Sequence, residues 1–250
     1  MPVHFDYTMI HDFLAKYLPQ GFKNINRVDP FMVAMEAKLL SNDQFFYIAD
    51  LLSVQILFTS AGSQRFIGVD PAMVDAYTFF EYAHPEDQAR LNLAQTKLYK
   101  LGQSLLVEQK KISVVSVQIR ERNAAGDYMN LLLQTYSFYS EVPHKTVYTL
   151  IVATQLAPVT SDHGFHYYAG FDLAMFRYPD QILLNTGHSF SSREIEIIKL
   201  IAVGEGSEQI ADKLSISVNT VNTHRRNILK KTKSSTTHEL IVELQENGIL

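Results

Sequence analysis

Apolar and polar positions follow two different rhythms along this chain. Between residues 45 and 156 the apolar runs are short and rich in β-branched and aromatic side chains. FFYIADLL and SVQILFTS come first. Then Val115, Val117 and Ile119 alternate with Ser116, Gln118 and Arg120, a long partly alternating run covers Tyr128–Tyr139, and Val147–Ala153 is continuously apolar. Such runs predict strands. Between the second and third of them, DPAMVDAYTFFEYAHPEDQARLNLAQTKLYKLG predicts helix, broken at His84-Pro85 and stopped at Gly102. RNAAGD supplies the turn between the third and fourth strands. Two strands, helices, then three antiparallel strands predict an α+β domain whose sheet is covered on one face.

From residue 189 the rhythm becomes helical. In SFSSREIEIIKLIAVGEG, Ser191 or Ser192 is placed to cap a helix, and Glu194 falls three residues after Ser191, as a capping box requires. Ile195, Ile198, Ile201 and Ala202 recur at helical spacing, and Gly204 and Gly206 end the run. SEQIADKL follows, with Ser207 as its cap and Ile210, Ala211 and Leu214 on one face. Ser217 caps a third helix, along which Val218, Val221, Ile228 and Thr232 form a stripe. SSTTHELIVELQENGIL predicts a fourth, with Leu240, Ile241 and Leu244 apolar and Asn247-Gly248 as its stop. Two short helices joined by a tight turn, the second longer and basic, make a helix-turn-helix.

The remaining segments flank these units. Residues 1–44 add two helices, IHDFLAKYL and DPFMVAMEAKLLS, the latter with Asp29 as cap and Pro30 at its first position. They either extend the sheet domain or pair between subunits. Residues 157–188 contain HYYAGFDLAMFRYPDQILL, too aromatic for a free linker and expected to pack on one or both domains. The organisation expected is an N-terminal extension over 1–44, a sheet domain over 45–156, a connector over 157–188 and an all-α four-helix domain over 189–250.

Composition narrows the chemistry. The 250 residues are 46% apolar and 19% charged, enough for two cores. Cysteine is absent, so disulfides, thiolate nucleophiles and Cys-ligated metals are excluded. MPVHFDYTMIHDFLAKYL is not a signal peptide, and no apolar run approaches the ~18 residues of a membrane span, so a soluble, cytoplasmic protein without membrane contact is expected.

With a net charge of −4 and a pI near 6.1, any affinity for nucleic acid has to be local. Residues 190–250 hold eight basic and eight acidic side chains. Within 217–233, however, Arg225, Arg226, Lys230, Lys231 and Lys233 stand with no acid among them. Taking Val221 as inward, 100° per residue places Asn219, Thr223, Arg226 and Lys230 on the opposite face. Arg suits guanine, Asn adenine, and Thr a thymine methyl or a phosphate.

FSSREIEIIKLIAVGEGSEQIADKLSISVNTVNTHRRNILKKT closely resembles the DNA-binding domain of LuxR-type (GerE-type) transcription regulators. The shared pattern is Ser-Arg-Glu at the start, glycine after the first helix, Ile-Ala…Leu in the second, and Ser217, Thr220, Val221 and His224 in the third. The resemblance implies a dimer on double-stranded DNA, with Asn222, Thr223 and Arg226 near base edges. Asn219, Thr220, His224, Asn227, Lys230 and Lys231 complete the candidate DNA-binding set, and RNA polymerase is a further partner of such a regulator. The chain departs from the family at Thr232, where leucine is usual, which implies looser packing there. In the family the fourth helix often forms the dimer contact; a purely intradomain role is the alternative.

The sheet domain is similar to a PAS sensor domain in its element order, in Gly68 of RFIGVDPAMVD, in HPED at 84–87 and in AAGDYMNL before a strand. The resemblance implies a domain that senses a signal, with a small-molecule ligand as its partner, or one that mediates dimerisation, and no cofactor is named by the residues. Without cysteine there is no cysteinyl-flavin adduct. His84 in the HPED turn reads as a capping residue rather than a haem ligand. Phe45, Phe46, Tyr47, Tyr136 and Phe138 are candidates for a pocket or for plain core. His163 and His166 form a lone His-x-x-His pair, a weak metal case. No phosphate loop, dinucleotide turn or catalytic constellation is present. The expectation is therefore a regulator and not an enzyme, with an enzyme bearing an accessory C-terminal domain, or an adaptor that does not bind DNA, as alternatives.

Overall fold

A computed structural model describes residues 7–109, 111–156, 166–179, 183–184, 190–232 and 234–246. Helices α1 (Thr8–Tyr17) and α2 (Pro30–Ser41) precede strands β1 (Gln44–Asp50) and β2 (Gln55–Thr59). Three helices follow, α3 (Gly62–Phe66), α4 (Thr78–Tyr82) and the long α5 (Gln88–Glu108). Next come β3 (Ile112–Arg122), β4 (Tyr128–Ser140), β5 (Thr146–Gln155) and a short β6 (Tyr167–Gly170). The strands form one antiparallel sheet in the order β2-β1-β5-β4-β3-β6. Its first five strands, with the helices inserted between β2 and β3, are the arrangement expected of a PAS-like domain.

Both faces of the sheet are buried, which corrects the expectation of one covered face. On one face Phe45, Val117, Leu131 and Ile151 pack beneath α3, α4 and α5. On the other, Phe46, Ile48, Leu150 and Val152 meet Ile10, Phe13, Met32 and Met35 of α1 and α2. The reason lies in β1 and β5, which are apolar at both parities and so need a cover on each side. The N-terminal helices supply the second cover, and Asp29 caps α2 by accepting from the Phe31 amide at 2.9 Å.

Gly102 does not stop α5, which runs six residues further to Glu108. The glycine is instead a contact point. A Cβ there would collide with the Leu51 side chain, so its absence lets the helix settle against the end of β1. The break at His84-Pro85 is real. His84 Nδ1 accepts from the Glu86 amide at 3.3 Å, and Asp87 takes three hydrogen bonds from Arg120 on β3, at 2.8 Å from its main chain and 2.9 Å from each of Nε and Nη2. Burial pushes the Asp87 carboxyl up, but Arg120 and Arg90 outweigh it and hold the group below its ordinary range.

The connector carries the strand that patterning did not predict. β6 pairs with the outer edge of β3 from Val114↔Gly170 to Val117↔Tyr167. Beyond it, Gln134 Nε2 on β4 donates to the Met175 carbonyl at 2.9 Å, and Met175 and Leu183 pack on Val114 and Leu132. This covers what would be an open sheet edge.

The C-terminal unit consists of α6 (Ser192–Ala202), α7 (Ser207–Leu214), α8 (Val218–Thr232) and α9 (Thr237–Glu246). Ile197, Ile198, Ile210, Val221, Ile228, Leu240 and Leu244 form its core. The expected stop at Asn247-Gly248 lies outside the described residues. Among the described residues no helix is long and apolar enough to cross a membrane.

Candidate nucleic-acid interface and internal cavity

Local sequence builds the helix-turn-helix. Ser191 Oγ accepts from the Glu194 amide at 3.2 Å while the Ser191 amide donates to Glu194 Oε2 at 2.8 Å, closing the capping box on α6. α7 opens differently from the expectation. Its cap is Gly206, whose amide donates to Gln209 Oε1 at 2.7 Å, and Ser207 is the first helical residue. That frees the Ser207 hydroxyl to donate to Asn222 Oδ1 on α8 at 2.8 Å. Ser215, at φ +52°, ends α7, and Ser217 caps α8 by accepting from the Thr220 amide at 3.0 Å.

Val221 and Ile228 are fully buried and set the phase of α8, with Thr232 nearly so. Val218, expected in the same stripe, is partly exposed at the helix start. Asn219, Thr220, Asn222, Thr223, Arg226, Asn227, Lys230 and Lys231 are exposed, and His224 is half-buried. The helix therefore brings eight of the nine candidate side chains to solvent. Thr220 Oγ1 is engaged with Ser217 Oγ at 2.8 Å, and Thr223 Oγ1 donates back to the Asn219 carbonyl at 2.9 Å. Ser207 occupies one acceptor site of the Asn222 amide, leaving its N–H₂ group outward.

Lys231 differs from the others because its Nζ is 2.6 Å from Glu194 Oε2. Burial raises the Glu194 carboxyl, but the Lys231 bond and the Ser191 amide outweigh this and hold it below its ordinary value. Arg225, half-buried, reaches Thr237 Oγ1 on α9 at 3.4 Å. Thr232, the departure from the family pattern, is satisfied rather than loose. Its hydroxyl lies 2.7 Å from Ser234 Oγ and 3.2 Å from the Ile228 carbonyl. Sequence reasoning missed the positioning role of Ser207, since a contact across fifteen residues leaves no local signal.

The sheet half contains a cavity of about 80 Å³ between the sheet and helices α4 and α5. Of the five aromatic candidates only Tyr47 lines it. Phe45 belongs to the core on the same face, and strand alternation turns Phe46, Tyr136 and Phe138 to the opposite one. His166 is built into the sheet, with Nε2 2.9 Å from Ser116 Oγ, while His163 lies outside the described residues. Among the described residues no group of three or more His, Asp or Glu is arranged to hold a metal.

Comparison with known sequences bears on the C-terminal unit. Residues 188–244 match the family described as bacterial regulatory proteins, luxR family, and the C-terminal unit is a helix-turn-helix domain of that family. It is 46% identical over 59 residues to the regulatory protein SdiA of Escherichia coli (strain K12), covering 24% of this chain and 25% of that protein. It is 45% identical over 51 residues to the oxygen regulatory protein NreC of Staphylococcus carnosus (strain TM300), covering 20% of this chain and 24% of that protein. The chain thus matches about a quarter of the length of these curated relatives. A solved structure of the Vibrio cholerae VqmA dimer, a LuxR-type receptor, aligns over 86% of this chain and 88% of its own, at 15% identity and a TM-score of 0.38.

Proposed function

We propose that the chain is a sequence-specific DNA-binding transcription regulator, acting as a homodimer, whose PAS-like domain senses a small molecule. One observation carries this reading. The solvent face of α8 presents Asn219, Asn222, Thr223, Arg226 and Lys230 without an acid, in a unit whose acids all lie on the flanking segments. A neutral domain that gathers half of its cations and none of its acids on one helix is polarised toward a polyanion.

In this reading Arg226, Asn222 and the Thr223 methyl meet base edges. Lys230 meets phosphate, Asn219, Thr220, His224 and Asn227 supply flanking polar contacts, and Lys231 is shared between phosphate and Glu194. Residues 45–156 are the sensor, 1–44 its extension, 157–188 the connector and 189–250 the reading head. Contact with RNA polymerase, a cytoplasmic location and the lack of a catalytic role belong to the same proposal.

The experiment is selection of bound DNA from a random pool, followed by affinity measurement across a salt series. With three or four cationic contacts per subunit, log K against log salt falls with a slope of about −5 to −7. Lys230→Ala flattens the slope by about two in the dimer, one contact per subunit. A slope near zero contradicts the electrostatic assignment.

A further inference from the structure

The cavity in the sensor domain has a one-sided chemistry. Its walls are apolar and aromatic, with Tyr47, Phe79, Phe80 and Tyr99 among them, and Asp50 and Asp75 carry its only charges. No Lys, Arg or His is among the described residues that line it. Tyr47 and Phe79 are stacked with ring centroids 4.7 Å apart, and faces of this kind attract cations. Asp75 is exposed, and the Tyr77 amide, at 2.9 Å, with the Thr78 hydroxyl holds it below its ordinary pKa, hence charged at neutral pH.

A third carboxyl stands close by. Glu121 is completely buried on the same face of β3 as Val115 and Val117, both of which line the cavity, and neither of its oxygens has a hydrogen-bond partner among the described residues. Burial pushes the Tyr47 phenol up, with Glu121 adding to the effect, and pushes the Glu121 carboxyl itself well above its ordinary value, toward the neutral acid. A buried carboxyl without a partner is costly, and a donor-bearing guest would relieve it.

Resting on the sensor reading above, we propose that this cavity takes a small organic cation, a primary amine on a single-ring or short aliphatic body. Its ammonium would be drawn by the Asp75 and Asp50 carboxylates and the Tyr47–Phe79 faces, with its body against Leu91, Ala94 and Leu98. Carboxylates and phosphates are disfavoured, because every charge they would meet has their own sign. The size as it stands is of the order of one small ring, well below a nucleotide cofactor.

The test uses the full chain and three isosteric probes, namely benzylamine, benzyl alcohol and benzoate, in calorimetric titration and thermal shift. Benzylamine is expected to bind roughly tenfold tighter than benzyl alcohol, and benzoate not measurably. Asp75→Asn, which keeps the oxygen that accepts from Tyr77 and Thr78, should lower the amine-to-alcohol ratio roughly fivefold without weakening the alcohol. Ala94→Phe should fill the cavity and abolish binding of all three, with the circular dichroism spectrum retained. Benzoate binding as tightly as the amine, a ratio unmoved by Asp75→Asn, or no binding of the amine at millimolar concentration would overturn the proposal. DNA affinity in the presence of each probe separates this inference from the sensor reading. If benzyl alcohol or benzoate, rather than the amine, is the probe that binds and shifts DNA affinity, the sensor stands and the cation assignment falls. If benzylamine binds selectively and leaves DNA affinity unchanged, the cation assignment stands and the sensor reading falls.

Discussion

The two halves of the molecule bury their cores by opposite routes. In the C-terminal unit each helix brings its own cap and stripe, so Ser191 and Glu194 are three residues apart and Val221 and Ile228 seven. In the sheet half the central strands are joined across most of the domain. Gln44 Nε2 donates to Thr154 Oγ1 at 2.8 Å across 110 residues, and β1 lies between β2 and β5 rather than beside its later neighbours in sequence. The lesson is that the helix-turn-helix and the sheet are held by separate cores of different range. A lesion in one core should therefore spare the other.

Matched core lesions give the largest effects. Val221→Asp places a charge where no solvent reaches and should cost about 3–5 kcal/mol, which is comparable to the whole stability of a helical unit this small. The thermal melt should lose the C-terminal transition and keep that of the sensor. Leu131→Asp, fully buried in the sheet, should do the reverse. A single cooperative transition abolished by either variant would show one merged core.

Separating the halves comes next. Residues 190–250 alone should fold, since they contain their own core and caps, but should bind paired half-sites ~10²–10⁴-fold more weakly than the full chain, because the sensor no longer holds two reading heads together. Five base pairs inserted between the half-sites should abolish tight full-length binding by turning one site to the other side of the duplex, half of the roughly ten-base-pair repeat. Equal affinity of fragment and full chain, measured by sedimentation and anisotropy, would remove the dimer from the account.

The ion pair between α6 and α8 has a smaller effect with a defined pH sign. The folded Glu194 carboxyl lies below its ordinary value of 4.5, so the stability it contributes is fully present above that value and is lost as pH falls through the lowered folded value. Glu194→Gln should cost about 1–3 kcal/mol at neutral pH and flatten the acid limb of the C-terminal transition, while the sensor transition keeps its own pH profile. An unchanged acid limb would mean that the Glu194–Lys231 pair does not couple the two helices.

These contrasts also explain what was legible in the chain. Helix existence, the phase of α8 and its outer face follow from spacing within one or two turns, which a single sequence carries in full. The cap of α7 was misplaced by one residue because Gly206 and Ser207 both qualify locally, and only the contact to Asn222 decides between them. In the sheet half, strand existence was legible, but both-sided burial, the passage of α5 through Gly102 and the pairing of β6 on β3 were not. Each depends on a partner far along the chain, namely α1 and α2 for the outer face, Leu51 for Gly102 and the edge of β3 for β6. The cavity was less legible still, since neighbouring aromatics such as Phe45, Phe46 and Tyr47 diverge to different places.

The central claim is that the outer face of α8 reads bases while its core face only holds the domain. The most direct measurement compares wild type with Arg226→Ala and Asn222→Ala on the selected DNA site and on a scrambled duplex of equal length. Each substitution is predicted to cost ~1–3 kcal/mol on the selected site, to relax preference at one or two base pairs, and to leave binding to the scrambled duplex nearly as it was apart from the one charge lost with Arg226. If both variants keep full preference for the selected site with the fold intact, or if wild type itself shows no preference, then α8 is not the reading helix.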